Sequence, residues 1–273
     1  MPGHLYIVST PIGNLGDMTF RAVETLRSVS LILAEDTRHS RVLLDRYEIA
    51  TPMQSYHEHN EAEMTPRVLA RLQGGEEIAL ITDAGTPLLS DPGERLVRRL
   101  VEEGVPVVPI PGASALLAAL VGSGLAAAPM TFFGFLPRRG GERGEKLRML
   151  SELAHTGVLY EAPGRVSQTL NDLVQAGCGE RRAVVARELT KQYEEFRRGT
   201  VGELAQYYET VSPKGEVVVL LEGKTEAPAN PEEMVAAARA MRAAGRTTRE
   251  VQLALQADFG APRNLAYRLA HET

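Results

Sequence analysis

The chain has 273 residues, 44% of them hydrophobic and 24% charged, with a net charge of −5, a balance that suits a soluble globular protein of one large or two ordinary domains. No apolar run approaches the roughly 18–20 residues that a membrane-spanning helix needs; residues 107–130 come nearest and are broken by Pro109, Pro111 and glycines. The one cysteine, Cys178, excludes an internal disulfide and a thiolate metal cluster, and the acidic balance without Trp leaves any nucleic-acid contact to local basic patches rather than to a global field or base stacking.

The chain begins directly on a strand-like segment at 4–9, with neither a basic leader nor a cleavage site, so a cytoplasmic location is expected. Residues 19–28 read as a helix with Phe20, Val23 and Leu26 along one face. Then come a strand at 30–34, helices at 37–47 and 61–73, a strand at 77–81, a helix at 94–103 and a strand at 106–110. This alternation predicts βαβ units and a mainly parallel sheet. A second α/β unit opens with a helix at 113–121. It continues with a strand at 131–136, a charged helix at 142–154, a strand at 157–160, a helix at 166–176 and a strand at 183–186. A short helix at 201–208 and a strand at 216–221 complete it. Residues 224–230 are rich in Pro and Ala and read as a linker. Three helices are expected beyond it, at 231–244, 248–257 and 262–271, with a glycine-containing turn before the last. The expected domains are therefore 1–112, 113–223 and 231–273.

Three strand ends carry more turn chemistry than a connection requires. The first is Ser9-Thr10-Pro11-Ile12-Gly13-Asn14-Leu15-Gly16-Asp17, and the second is Thr82-Asp83-Ala84-Gly85-Thr86-Pro87-Leu88-Leu89-Ser90-Asp91-Pro92-Gly93. In the second, Ser90 or Asp91 with Pro92 is expected to start the following helix. The third is Pro111-Gly112-Ala113-Ser114-Ala115, where small side chains and an exposed helix N-terminus suit a carboxylate. Loops at the carboxyl ends of parallel strands are where open α/β sheets bind ligands, and all three are expected on one sheet edge. Neither G-x-x-x-x-G-K-[ST] nor a strand-borne G-x-G-x-x-G is present; Gly122-Ser123-Gly124-Leu125-Ala126-Ala127 fits the latter pattern but follows a helix.

These loops, with Ala34-Glu35-Asp36-Thr37-Arg38, Phe132-Phe133-Gly134-Phe135-Leu136-Pro137-Arg138, Tyr160-Glu161-Ala162-Pro163-Gly164-Arg165, Ala186-Arg187-Glu188-Leu189-Thr190-Lys191 and Lys214-Gly215-Glu216-Val217-Val218-Val219-Leu220, resemble the tetrapyrrole-methylase superfamily, in particular its ribosomal-RNA branch. The resemblance runs from residue 4 to about 223 and departs at Gly164, where relatives often carry His. It implies an α/β fold of two α/β domains, mainly parallel then mixed, with a small helical C-terminal domain. It implies S-adenosylmethionine bound in the cleft between the two α/β domains and touched by Pro11, Gly13, Asp83, Gly85, Leu88, Ser114, Ala115, Tyr160, Leu189 and Gly215. It implies methylation of a ribose 2′-oxygen on a decoding-region cytidine of 16S rRNA in the small ribosomal subunit, and a homodimer. Two alternatives are a C-methyltransferase of tetrapyrrole precursors and a non-catalytic ribosome-assembly factor. The Thr-Asp-Ala-Gly-Thr-Pro spelling and the basic loop at 138–148 speak against the first.

Methylating a hydroxyl needs a group to take its proton. Candidates at strand ends are Asp36, His57, Glu161 and Glu188, with Arg38, Arg165 and Lys191 as orienting cations; Asp36 also suits a helix cap. His57 and His59 have no evident third metal ligand, and no metal is expected. Arg138, Arg139 and Arg143, with Arg38 and Arg165, are the expected contacts to RNA, and Arg181, Arg182, Arg187, Lys191, Arg197 and Arg198 form a second basic set.

Overall fold

The computed structural model describes residues 1–224 and 231–272, so most of the expected linker lies outside the described residues. It divides into two compact units, Met1–Glu222 and Gly223–Thr273. No helix among the described residues is long and apolar enough to cross a membrane.

The larger unit opens with β1 (Leu5–Val8), α1 (Phe20–Ser28), β2 (Leu31–Ala34), α2 (Thr37–Arg46), β3 (Met53–Ser55), α3 (Glu61–Gln73), β4 (Ile78–Ile81), α4 (Glu94–Glu102) and β5 (Val107–Ile110). Its five strands form a sheet in the order β3-β2-β4-β1-β5, every pair parallel. Strands β2 and β4 are buried along their whole length, as expected of central parallel strands covered on both faces. On one face α3 and α4 bury Met64, Val68, Leu72, Leu96 and Leu100 against Leu5, Leu33 and Leu80. On the other, α1 and α2 bury Ala22, Leu26, Leu43 and Leu44 against Val8, Ile32 and Ile81. Thus the helix following β1 covers one face and the helix following β4, its neighbour, covers the opposite face. The two connecting loops diverge and open a crevice at the carboxyl edge, the usual ligand position in such sheets.

Helix α1 turns Val23 and Leu26 to the core as expected, but not Phe20. Phe20 is 92% exposed, and Ala22, Thr25 and Leu26 are the buried residues. Thr19 caps the helix by accepting from the Ala22 amide, and that start rotates Phe20 outward.

The chain continues through α5 (Ala115–Ser123), β6 (Met130–Phe135), α6 (Gly141–Glu152), β7 (Thr156–Glu161), α7 (Val166–Leu173), β8 (Arg182–Arg187), β9 (Glu195–Thr200), α8 (Val201–Thr210) and β10 (Val217–Leu221). The second sheet has the order β6-β7-β10-β8-β9 and is mixed: β6 and β7 run parallel and the other pairs antiparallel. Helix α5 leaves the first sheet directly from β5 and packs on the second, burying Leu116, Ala119 and Leu120 with Val158, Val184, Val218 and Ile12. Helices α6, α7 and α8 cover the opposite face.

Two strands were not foreseen. β3 has three residues at a sheet edge. β9 is an edge strand whose sequence, Glu-Phe-Arg-Arg-Gly-Thr, alternates nothing apolar; its pairing with β8 supplies the structure.

The smaller unit contains α9 (Pro231–Ala243), α10 (Thr248–Phe259) and α11 (Arg263–Glu272). Met234, Ala238, Val251, Leu255, Ala266 and Leu269 form its core. Thr247 and Glu250 make a reciprocal capping box at the start of α10, and Gly260 ends that helix at a φ of 60°.

Candidate functional site

The three loops meet at the carboxyl edge of the first sheet and are tied together there. Thr10 and Gly85 exchange two backbone hydrogen bonds, 2.8 and 3.0 Å long. The Thr10 hydroxyl donates to the Thr82 carbonyl at 3.0 Å. The hydroxyls of Ser9 and Thr86 lie 3.0 Å apart, and Thr86 donates to the Ala113 carbonyl at 3.1 Å. A β-carbon on Gly112 would stand 3.0 Å from that of Ser9, so glycine permits the third loop to approach the first.

This edge forms one wall of a cleft of about 440 Å³, within the usual range for a small-molecule site. Asp83, Gly85, Ser114 and Ala115 line it from the first half, and Tyr160, Leu189 and Gly215 from the second. Seven of the ten expected cofactor residues are thereby brought together. Pro11 and Gly13 line an adjoining recess of about 310 Å³ that shares Ile12, Asp83, Ala84 and Glu216 with the cleft. Leu88 lines neither; its side chain packs against the core beneath β4.

At the head of α5, the Ser114 hydroxyl accepts from the Leu117 amide, and the Tyr160 phenol oxygen accepts from the Leu116 amide at 3.2 Å. The Ala115 amide remains on the cleft wall as a donor without an acceptor among the described residues. The charged lining is acidic: Glu35, Asp83, Asp91 and Glu216 line the cleft, Glu161 borders it with a fully buried side chain, and among the described residues no Lys or Arg lines it. Such a lining repels phosphates and suits a ligand carrying positive charge.

The candidate proton acceptors have distinct surroundings. Asp36 caps α2: its carboxylate accepts from the Arg38 amide at 2.8 Å and from the Arg38 guanidinium at 2.9 Å. These bonds hold the exposed carboxyl down at about 2. Arg38 is 90% exposed and engaged with this partner. Glu161 is buried and fully used, accepting from Thr169 at 2.6 Å and from the Ala162 amide at 2.8 Å, with Arg165 Nε 3.3 Å away. Arg165 also donates to the carbonyls of Leu136 and Pro137. Glu188, at a φ of 51°, accepts from Lys191 Nζ at 2.9 Å and from the Glu216 amide at 3.2 Å; its bond to Lys191 lowers its carboxyl from the ordinary value. Lys191 also donates to Glu216 at 2.9 Å and lines the recess. His57 stands just beyond β3, on the same edge but outside both cavities.

Asp91 is the residue the sequence hid. Helix α4 begins at Glu94 with Gly93 in the cap position and no side-chain cap bond, so Ser90 and Asp91 do not start it. They line the cleft instead. Burial, opposed in part by the Thr82 hydroxyl and reinforced by Glu35 and Asp83, pushes the Asp91 carboxyl up to about 6. Its membership in the loop at 82–93 was the available signal; helix-cap chemistry masked it.

The basic residues divide into two groups. Arg138 and Arg139 are exposed and line a surface depression of about 610 Å³ with Arg148, Gln168 and Gln175. Arg143 borders it but is 5% exposed, its guanidinium taken by Asp172 at 2.6 Å, Thr169 at 3.0 Å and the Pro137 carbonyl at 3.1 Å; it anchors the loop rather than offering a free cation. Most of the second basic set is likewise used inside the fold. Arg181 donates to the carbonyls of Glu222 and Ser151. Arg187 and Arg197 share Glu195, each at 2.7 Å. Arg198 donates to the Ser123 and Gly122 carbonyls at the end of α5.

The family model described as Tetrapyrrole (Corrin/Porphyrin) Methylases matches residues 4–205. The chain is 46% identical over 273 residues to Ribosomal RNA small subunit methyltransferase I of Synechocystis sp., covering 99% of this chain and 98% of that protein. It is 50% identical over 230 residues to the protein of the same name from Mesorhizobium japonicum, covering 83% and 78%. Among solved structures, a uroporphyrin-III C-methyl transferase from Thermus thermophilus complexed with S-adenyl homocysteine superposes with a TM-score of 0.60 at 21% identity, over 81% of this chain and 97% of that one. Diphthine synthase superposes with a TM-score of 0.66 at 14% identity, over 82% and 92%. The chain belongs to the tetrapyrrole methylase family and is a methyltransferase.

Proposed function

We propose that the chain transfers a methyl group from S-adenosylmethionine to a ribose 2′-oxygen of a decoding-region cytidine in small-subunit 16S rRNA. The observation that carries the cofactor is the cleft's polar lining: carboxylate acceptors without a lysine or arginine among the described residues, and a helix-start amide donor at Ala115. S-adenosylmethionine has a sulfonium, an ammonium and one carboxylate, and this lining suits each. When bound, it supplies an electrophilic methyl carbon. The residues that would hold it are Asp83, Gly85, Ser114, Ala115, Tyr160, Leu189 and Gly215, with Pro11 and Gly13 at the adjoining recess. Leu88 supports this loop from the core side.

Small-subunit rRNA as substrate is supported by the names of the relatives, one of which is matched over nearly its full length. Arg138 and Arg139 are the exposed cations that suit phosphates, while Arg143 and Arg165 fix the loop that carries them. At the mouth of the cleft, Leu89 is 37% and Phe135 51% exposed, apolar surface suited to an unstacked base. Among the candidate catalytic groups, Lys191 is placed to orient the loops around Glu188 and Glu216. Asp36, Glu161 and Glu188 are carboxylates already held by donors.

The test is incubation with labelled S-adenosylmethionine and 30S subunits from a strain lacking the modification, followed by mapping of the methylated nucleoside. Label on a cytidine ribose is expected. Label on a base, or on a tetrapyrrole precursor and not on rRNA, would replace this reading; intact cofactor binding without incorporation would favour an assembly factor.

A further inference from the structure

Transfer to a hydroxyl requires a carboxylate or other base that is free to accept a proton, and the cleft's acids differ in this respect. Glu35 accepts the Thr82 hydroxyl at 3.1 Å. Asp83 accepts the Asp36 amide at 3.1 Å. Glu161 has three donors around it and Glu216 accepts Lys191; Glu188, outside the cleft lining, has two donors. Asp91 forms no ion pair and accepts no backbone amide among the described residues. Its polar neighbour is the same Thr82 hydroxyl, which it shares with Glu35.

The fold also fixes Asp91 in place. Leu88 and Ser90 hold φ values of 73° and 75°, a region that non-glycine residues rarely enter. The loop reaches across to β6, where the strand register shifts between Phe132 and Phe135. A β-carbon on Gly134 would lie 3.0 Å from the Ser90 hydroxyl, so glycine leaves room for the loop tip. Asp91 is thereby held on the wall of the cleft that Asp83, Leu89 and Phe135 also line. The titratable groups facing it are Glu35 at the end of β2, Asp83 at the end of β4 and Tyr160 on β7; none of them brings a positive charge.

The geometry points to Asp91 as the general base of the methyl transfer, a role that rests on the 2′-O-methylation reading above. The 2′-O–H bond breaks as the new O–CH₃ bond forms. The proton passes to the Asp91 carboxylate, and the electrons of the breaking S–CH₃ bond remain on sulfur, which becomes neutral. A base near the working pH is the most effective, and the elevated carboxyl of Asp91 meets that condition.

The test compares wild type with Asp91→Asn and Asp91→Glu on unmodified 30S subunits. Wild-type incorporation at a cytidine ribose tests the function; the ratio of variant to wild type tests Asp91. Asp91→Asn should lower kcat by roughly 10²–10⁴-fold, abolish the rise in kcat through about pH 6, and leave S-adenosylhomocysteine affinity within a factor of three by calorimetry. Asp91→Glu should restore part of the rate with a displaced acidic limb. A carboxyl-labelled NMR titration of the wild-type protein, which needs no turnover, should place the Asp91 midpoint near 6. A midpoint near 4, an unaltered pH profile in Asp91→Asn, or a loss of cofactor affinity that matches the loss of rate would each overturn the assignment.

Discussion

The side chain of Lys191 lies over the bare α-carbon of Gly13: a β-carbon there would stand 2.5 Å from both Cγ and Cε of the lysine. The ammonium then reaches Glu188 and Glu216, each at 2.9 Å. This contact joins the loop after β1 to the loop after β8, with glycine as the spacer, beside the apolar cluster that Ile12 and Leu189 share. Gly13 also sits at a φ of 149°. Gly13→Ala should therefore destabilise the protein by about 1–3 kcal/mol and weaken S-adenosylhomocysteine binding. Scanning calorimetry and titration calorimetry check the two effects; an unchanged melting temperature would mean that Lys191 moves aside without cost.

The arginines of the 138–148 stretch should separate by role. Arg143→Ala leaves Asp172 and Thr169 without their buried donor and should cost about 3–5 kcal/mol. Arg138→Ala and Arg139→Ala should change stability by less than about 0.5 kcal/mol and weaken rRNA binding. Each lost phosphate contact should flatten the salt dependence of binding by about one unit of slope. Equal melting temperatures for all three variants would show that Arg143 anchors nothing.

Asp83 links the second loop to the start of α2 by accepting the Asp36 amide, and it borders both cavities. Asp83→Ala should reduce S-adenosylmethionine affinity by about tenfold or more, since a hydrogen bond to a charged group contributes about 1.5–3 kcal/mol. Calorimetry at fixed pH measures this; full affinity in the variant would place the cofactor elsewhere.

Asp91 should leave a signature in stability as well as in rate. Its folded carboxyl lies at about 6, above the ordinary value of 3.8. The native state therefore holds this proton more firmly than the unfolded chain does. The associated stability is complete below pH 3.8 and is lost as the pH rises through about 6. Asp91→Asn, which cannot ionise, should melt above wild type at pH 8 and close to it at pH 4. A variant that melts below wild type at both pH values would show that the carboxylate is stabilising and that its raised proton affinity is misassigned.

The sequence by itself determined the alternation of elements, the parallel first sheet and the positions of the three loops. The physical reason is local: short apolar strands bounded by Gly, Pro, Ser and Asp carry their turn chemistry in the residues themselves, and those punctuated stretches retain it wherever they fold. The tertiary structure decided what neighbours supply. β3 and the charged β9 exist because β2 and β8 offer unpaired backbone, which no periodicity announces. Arg143 and Arg138 stand five positions apart on one basic stretch, and burial among Asp172, Thr169 and the Pro137 carbonyl makes the first an anchor while the second lies exposed. Asp91 reads in sequence as a helix start; the fold instead places it on the cleft wall, where burial, reinforced by Glu35 and Asp83, raises its proton affinity. Charge in a sequence is only a count, and its chemistry follows from the partners and the solvent that the fold leaves around it.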